Sequence, residues 1–153
     1  MLDEFYSVAT QASLTLLGLW WVVLRAWPSG WAEDPARRAT GYHVSLYFML
    51  PAFASALSLL STDSSFFWRA GFGLAAIVGA VENLAMLARG VAGKWFVYPS
   101  VALYVLAGVV AAAPTLVTDA TDEVTALHVE GVLLSAILFL GLNVAWLHLV
   151  NRE

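Results

Sequence analysis

Glu82 and Asn83 stand side by side inside one long apolar run, and Glu130 stands inside another. An ionisable group in such a run is costly and marks a candidate site by default. Glu82 precedes Arg89 by about two helical turns. Gly71, Ala75 and Gly79 recur every fourth residue and lead to Asn83. Small residues at that spacing let a second helix come close, so Glu82 is expected to face protein or a cavity. Two chemistries follow. Glu82 is either an ion ligand or proton acceptor, or a structural carboxyl that is neutral or paired to Arg25 or His43.

Other polar groups form patterns of their own. At about 100° per residue, Asp3, Glu4, Ser7, Gln11, Thr15, Gly18 and Arg25 gather on one side of a helix. In a homo-oligomer such a stripe can line an aqueous path, and rings of charge can select ions. The same residues can instead hydrogen-bond between packed helices. Glu130 and His148, about five turns apart, share a face with Ile137 and Gly141. Glu130 also lies close enough in sequence to Asp119, Asp122 and Glu123 to belong to an acidic outer rim with Asp3 and Glu4. His128 and Glu130 are two apart and do not share a face, so they make a weak metal signal. His43 and His148 fall at similar depth, as a pair of haem ligands would require, if their helices touch.

These groups are set in an apolar frame. Of 153 residues, 61% are hydrophobic and 12% charged, where soluble domains hold about 45–50% and 25%. Lipid must be the solvent for much of this surface. A spanning helix needs about 20 mostly apolar residues. Five segments qualify, near Phe5–Trp27, Thr40–Leu60, Phe66–Arg89, Trp95–Val117 and Thr125–Val150. Helix is the only assignment that satisfies the backbone, because period-two alternation is absent. The fold class is therefore all-α, a five-helix transmembrane bundle forming one domain over residues 1–153. Pro51 should kink the second span, and Pro99 is expected in the first turn of the fourth. The acidic start is unlike the basic opening of a cleavable signal peptide, so the first run is expected to span.

Arg25, Arg37, Arg38, Arg89, Lys94 and Arg152 fall at one end of the spans, and only Arg69 at the other. The positive-inside rule then puts the N-terminus outside and the C-terminus in the cytoplasm. Asp3, Glu4, Asp63, Asp119, Asp122 and Glu123 all fall outside. The formal charge of −4 argues against a nucleic-acid partner. There is no cysteine, hence no disulfide, thiolate metal site or cysteine nucleophile. No phosphate-binding glycine loop or nucleophile elbow is present, so catalysis has no support.

The expected function is a small oligomeric channel or transporter that conducts cations. Its path or coupling would use Glu82, Asn83, Glu130, Gln11, Thr15 and Ser7. The rival expectation is a non-catalytic membrane anchor or assembly subunit, with haem or quinone as conceivable groups and neither firmly implied. The expected setting is a bacterial inner membrane.

Overall fold

The computed structural model describes residues 1–27, 33–61, 64–90, 93–119 and 124–150. Asp63, Asp122, Glu123 and Arg152 lie outside the described residues. Among those described, all regular structure is helical: α1 (Leu2–Arg25), α2 (Pro35–Leu59), α3 (Phe66–Ala88), α4 (Lys94–Ala112), the single turn α5 (Thr115–Thr118) and α6 (Ala126–Val150). Five of them are long and apolar enough to cross a membrane. The all-α, five-span architecture is the one expected.

Contacts between side chains set the order of packing. Trp20 near the end of α1 donates its indole N–H to the Gly41 carbonyl near the start of α2 (3.0 Å). α1 and α2 are therefore antiparallel. Tyr47 of α2 reaches Asn83 late in α3, and Arg69 early in α3 reaches Ala111 late in α4. The Tyr6 hydroxyl donates to the Leu127 carbonyl (2.7 Å), which brings the start of α6 beside the start of α1. Sequential helices thus alternate in direction, and α6 closes the bundle against α1, α2 and α4.

The centre is α2. About 67% of its most apolar stretch is buried, against 39% for α3 and 28% for α1, α4 and α6. α1 buries a single stripe, Tyr6, Ala9, Ser13, Leu17, Trp20 and Leu24, at the three-and-four spacing of one helix face. α3 and α4 meet through small residues. A Cβ on Gly79 would lie 2.4 Å from the Tyr104 ring, so only glycine admits Tyr104 there. Gly141 of α6 does the same for α2, where a Cβ would lie 2.5 Å from the Tyr47 Cβ.

Three details depart from the sequence reading. α2 begins at Pro35, several residues before Thr40, because the Asp34 side chain accepts from the Ala36 N–H (2.9 Å) and Pro35 takes the first helical position. α4 stops at Ala112, short of Val117. The residue before Pro114 is driven out of the helical region, and Ala113 has φ −131° and ψ 68°. Pro99 lies beyond the first turn of α4, since that helix starts at Lys94. α2 runs unbroken through buried Pro51, which leaves the Tyr47 carbonyl without its usual helical donor.

Candidate functional site

Three polar groups lie along the interior of the bundle. The first is at the end that carries the N-terminus. Glu130 is fully buried, in the second turn of α6. Neither of its carboxyl oxygens has a hydrogen-bond partner among the protein groups. Tyr6 lies within electrostatic reach of this carboxyl but gives its hydroxyl proton to Leu127. The Tyr6 ring packs edge-on against Phe72, 6.3 Å between centroids. Ser13 of α1 and Ser55 of α2 are also fully buried, and their hydroxyls are likewise unpartnered. Register places Ser55 and Glu130 at similar depth in the bundle. Tyr47 lies against Gly141, and from that level Ser55 is about 12 Å along α2 while Glu130 is about 16 Å along α6.

The second group is in the middle and is closed on itself. The Tyr47 hydroxyl donates to Asn83 Oδ1 (2.7 Å) and is in short contact with the Ser100 hydroxyl. Asn83 Nδ2 donates to the Gly79 carbonyl (2.8 Å), and the Ser100 hydroxyl to the Phe96 carbonyl (2.7 Å). Three helices are thereby tied together in an apolar setting, where bonded polar groups are worth most. Two proton arrangements are available. Ser100 can donate to Tyr47 while Tyr47 donates to Asn83, or Tyr47 can donate to Ser100 while Ser100 donates to Phe96. Between this group and the first lies a cavity of about 10 Å³, lined by Leu50, Phe72, Tyr104, Leu134 and Ile137 among others. That is about the space of one water, but the lining is apolar and offers no set of polar partners to hold it.

The third group is at the opposite end. His43 is buried on α2, with its ring edge-on to Tyr47 at 5.3 Å and its Nδ1 unpartnered. His148 of α6 is partly buried and within electrostatic reach of His43. The second and fifth spans do touch, through Tyr47 and Gly141. That contact sets the two histidines within about one turn of each other along the bundle.

The other candidates lie elsewhere. Glu82 is half-buried and makes no hydrogen bond or ion pair with any described residue, so it is paired to neither Arg25 nor His43. Its neighbour Asn83 takes the buried position, and a rotation of about 100° carries Glu82 to the flank. Gly71, Ala75 and Gly79 are all buried; Gly71 lies against Leu57 of α2. Ser7 is half-buried, and Gln11 and Thr15 are exposed on the outside of the bundle. They bond locally, Gln11 to the Ser7 hydroxyl (3.2 Å) and Thr15 to the Gln11 carbonyl (2.8 Å). Asp3, Glu4 and Asp119 are exposed. Glu130 does not join them in an exposed rim, because its face of α6 turns into the bundle. His128 is exposed and pairs with the Thr125 hydroxyl (2.8 Å). Among the described residues no cluster of three or more metal-ligating side chains forms.

Sequence reasoning missed Tyr6, Ser13, Tyr47, Ser55 and Ser100. One signal was there: Tyr47 follows His43 by four residues and precedes Pro51 by four, a polar face leading to a proline that frees the Tyr47 carbonyl. Comparison with protein families, with curated proteins and with solved structures finds no match to this chain.

Proposed function

We propose that this chain is a small membrane channel or transporter for cations, and that the cation it moves is the proton. The observation that carries this reading is Glu130. A carboxylate enclosed without a counter-charge or hydrogen bond is too costly to persist, so the group must take up a positive charge whenever the bundle closes on it. A metal cation would need six or more oxygen ligands if calcium, or an octahedral shell if magnesium, and one carboxyl among serines offers neither. A proton needs only the carboxyl.

The route runs through the bundle. Asp3, Glu4 and Asp119 raise the local cation concentration at one end. Glu130 takes the proton. The buried Ser55 and Ser13 hydroxyls lie between the levels of Glu130 and Tyr47, and the apolar stretch beyond them conducts only when water enters it transiently. The Tyr47–Ser100–Asn83 group holds α2, α3 and α4 in register beside the path, and His43 with His148 releases the proton at the far end. The exposed Gln11–Thr15 face supports association of copies in the bilayer, since amide and hydroxyl groups facing lipid gain by meeting their own kind. The distribution of basic residues supports an N-terminus outside and a C-terminus in the cytoplasm, as in a bacterial inner membrane.

The test is proton flux in liposomes holding purified protein and a pH-sensitive dye, driven by a pH gradient or a potassium diffusion potential. Wild type is expected to conduct, Glu130→Gln to lose conduction, and Glu82→Gln to retain it. Absence of flux under every gradient and voltage, or full flux in Glu130→Gln, overturns the proposal. One observation favours the second reading, an anchor or assembly subunit: His43 and His148 lie at similar depth on packed helices. Its haem version requires a Soret band from the purified protein.

A further inference from the structure

Arg69 is the one Lys or Arg, among the described residues, at the end of the bundle that carries the N-terminus. No carboxylate among the described residues pairs with it there. It is nonetheless held still. Its Nε donates to the Ala111 carbonyl (2.8 Å) and its Nη2 to the Ala112 carbonyl (2.9 Å). These are carbonyls of the last turn of α4, left over where Pro114 ends that helix. Two of its five N–H donors are used, and among the described residues nothing takes up the other three.

This guanidinium sits at the mouth of a groove of about 630 Å³ between α3 and α4. Ser64 and Ser65 share the mouth, and Gly73, Ala76 and Gly108 line the apolar course behind it. Small side chains make the groove. A Cβ on Gly73 would meet nothing within 4 Å. From Ser65 to Ala76 the groove follows about 16 Å of helix, close to the ~15 Å of one leaflet's hydrocarbon. Volume over length gives a cross-section of about 40 Å², or about 7 Å across. A packed helix is about 10–12 Å wide and does not fit. An acyl chain does.

We propose that the α3–α4 groove binds an anionic phospholipid, with one acyl chain along Gly73 and Ala76 and the headgroup phosphate on Arg69. Charge decides the lipid class. The phosphate neutralises Arg69, and an anionic headgroup adds no second cation beside it. Bidentate geometry suits a phosphate oxygen pair. The site is independent of proton movement.

The experiment is native mass spectrometry of the purified full chain in detergent, titrated with phosphatidylglycerol or phosphatidylcholine of the same acyl chains. Wild type should prefer phosphatidylglycerol by about fivefold, the effect of one basic residue on an anionic lipid. Arg69→Gln should bind both equally. Arg69→Lys should keep part of the preference and guards against simple loss of the α4 cap. Gly73→Leu, which fills open space and touches no packed neighbour, should release both lipids. Equal binding of the two lipids by wild type overturns the proposal. So does a preference that survives Arg69→Gln, lipid retention unchanged in Gly73→Leu, or a second copy that competes with lipid for the groove.

Discussion

Gly141→Ala should separate α2 from α6 and open the middle polar group. The added Cβ would stand 2.5 Å from the Tyr47 Cβ and 3.1 Å from its Cγ. Carbon atoms pack at about 3.5–4.0 Å, so the helices must part locally by about 1–1.5 Å. The Tyr47 Cβ belongs to the stem of the side chain and cannot swing away without its backbone. The Tyr47–Asn83 bond, 2.7 Å now, would stretch past about 3.2 Å, the outer limit of a sound bond. Overpacking costs about 1–3 kcal/mol. The lost hydrogen bond adds about 1 kcal/mol, and the better helix propensity of alanine returns about 0.5–1 kcal/mol. The net destabilisation is about 1–3 kcal/mol, read by unfolding in mixed micelles with rising denaturing detergent. Gly18→Ala is the control, because a Cβ at Gly18 meets nothing within 4 Å; it should be neutral or slightly stabilising. Tyr47→Phe should cost about 1 kcal/mol in wild type and almost nothing in the Gly141→Ala background, where the bond is already broken. If Gly141→Ala is as stable as Gly18→Ala, the close approach of α2 and α6 at Tyr47 is wrong; if the two substitutions simply add, α6 retreats and leaves the Tyr47–Asn83 bond between α2 and α3 intact.

Glu130→Leu should raise stability by about 1–3 kcal/mol in the same unfolding assay while abolishing proton flux, since it replaces an enclosed unpartnered carboxyl with an apolar group of similar size. A destabilised variant would show that the carboxyl has a structural partner. The chain has no cysteine, so single substitutions report its direction cleanly. In intact cells an impermeant maleimide should label Ser64→Cys and spare Ala36→Cys, and the opposite pattern would reverse the orientation drawn from the basic residues.

The spans were legible because hydropathy over twenty residues is an additive property of the chain. Their rotations were not. α6 is apolar nearly all round, and nothing in its sequence says that Glu130, Ile137 and Gly141 face inward. On α1 the polar stripe lies outside the bundle of one chain, which buries Tyr6, Ala9, Leu17 and Leu24 instead. In lipid, polarity does not mark the solvent side as it does in water; close fit decides which face is buried. Glu82 and Glu130 were equal candidates until rotation separated them. Asn83 occupies the inward position of α3, and no residue beside Glu130 competes for it. The start of α2 was readable from Asp34–Pro35, and the end of α4 from Pro114. At α2 the helix runs on beyond the apolar stretch into a charged first turn, and at α4 the apolar stretch runs on beyond the helix.

The division between bonded and unbonded groups carries the functional argument. A polar network that serves only to lock helices needs all its members satisfied, because any unpaired one costs more than it returns. Tyr47, Asn83 and Ser100 meet that standard across three helices. Glu130 and the Nδ1 of His43 do not, and they flank the satisfied group along the bundle. Packing offers no reason to retain either. Apolar residues of similar size would suit both positions, and α6 supplies such residues at every other buried site from Leu134 to Val144 apart from its glycine. Groups that hold and release a charge are the ones a bundle gains from leaving unpaired. The bonded middle keeps the two ends in line, and under the proposed function the unbonded ends are where proton uptake and release would take place.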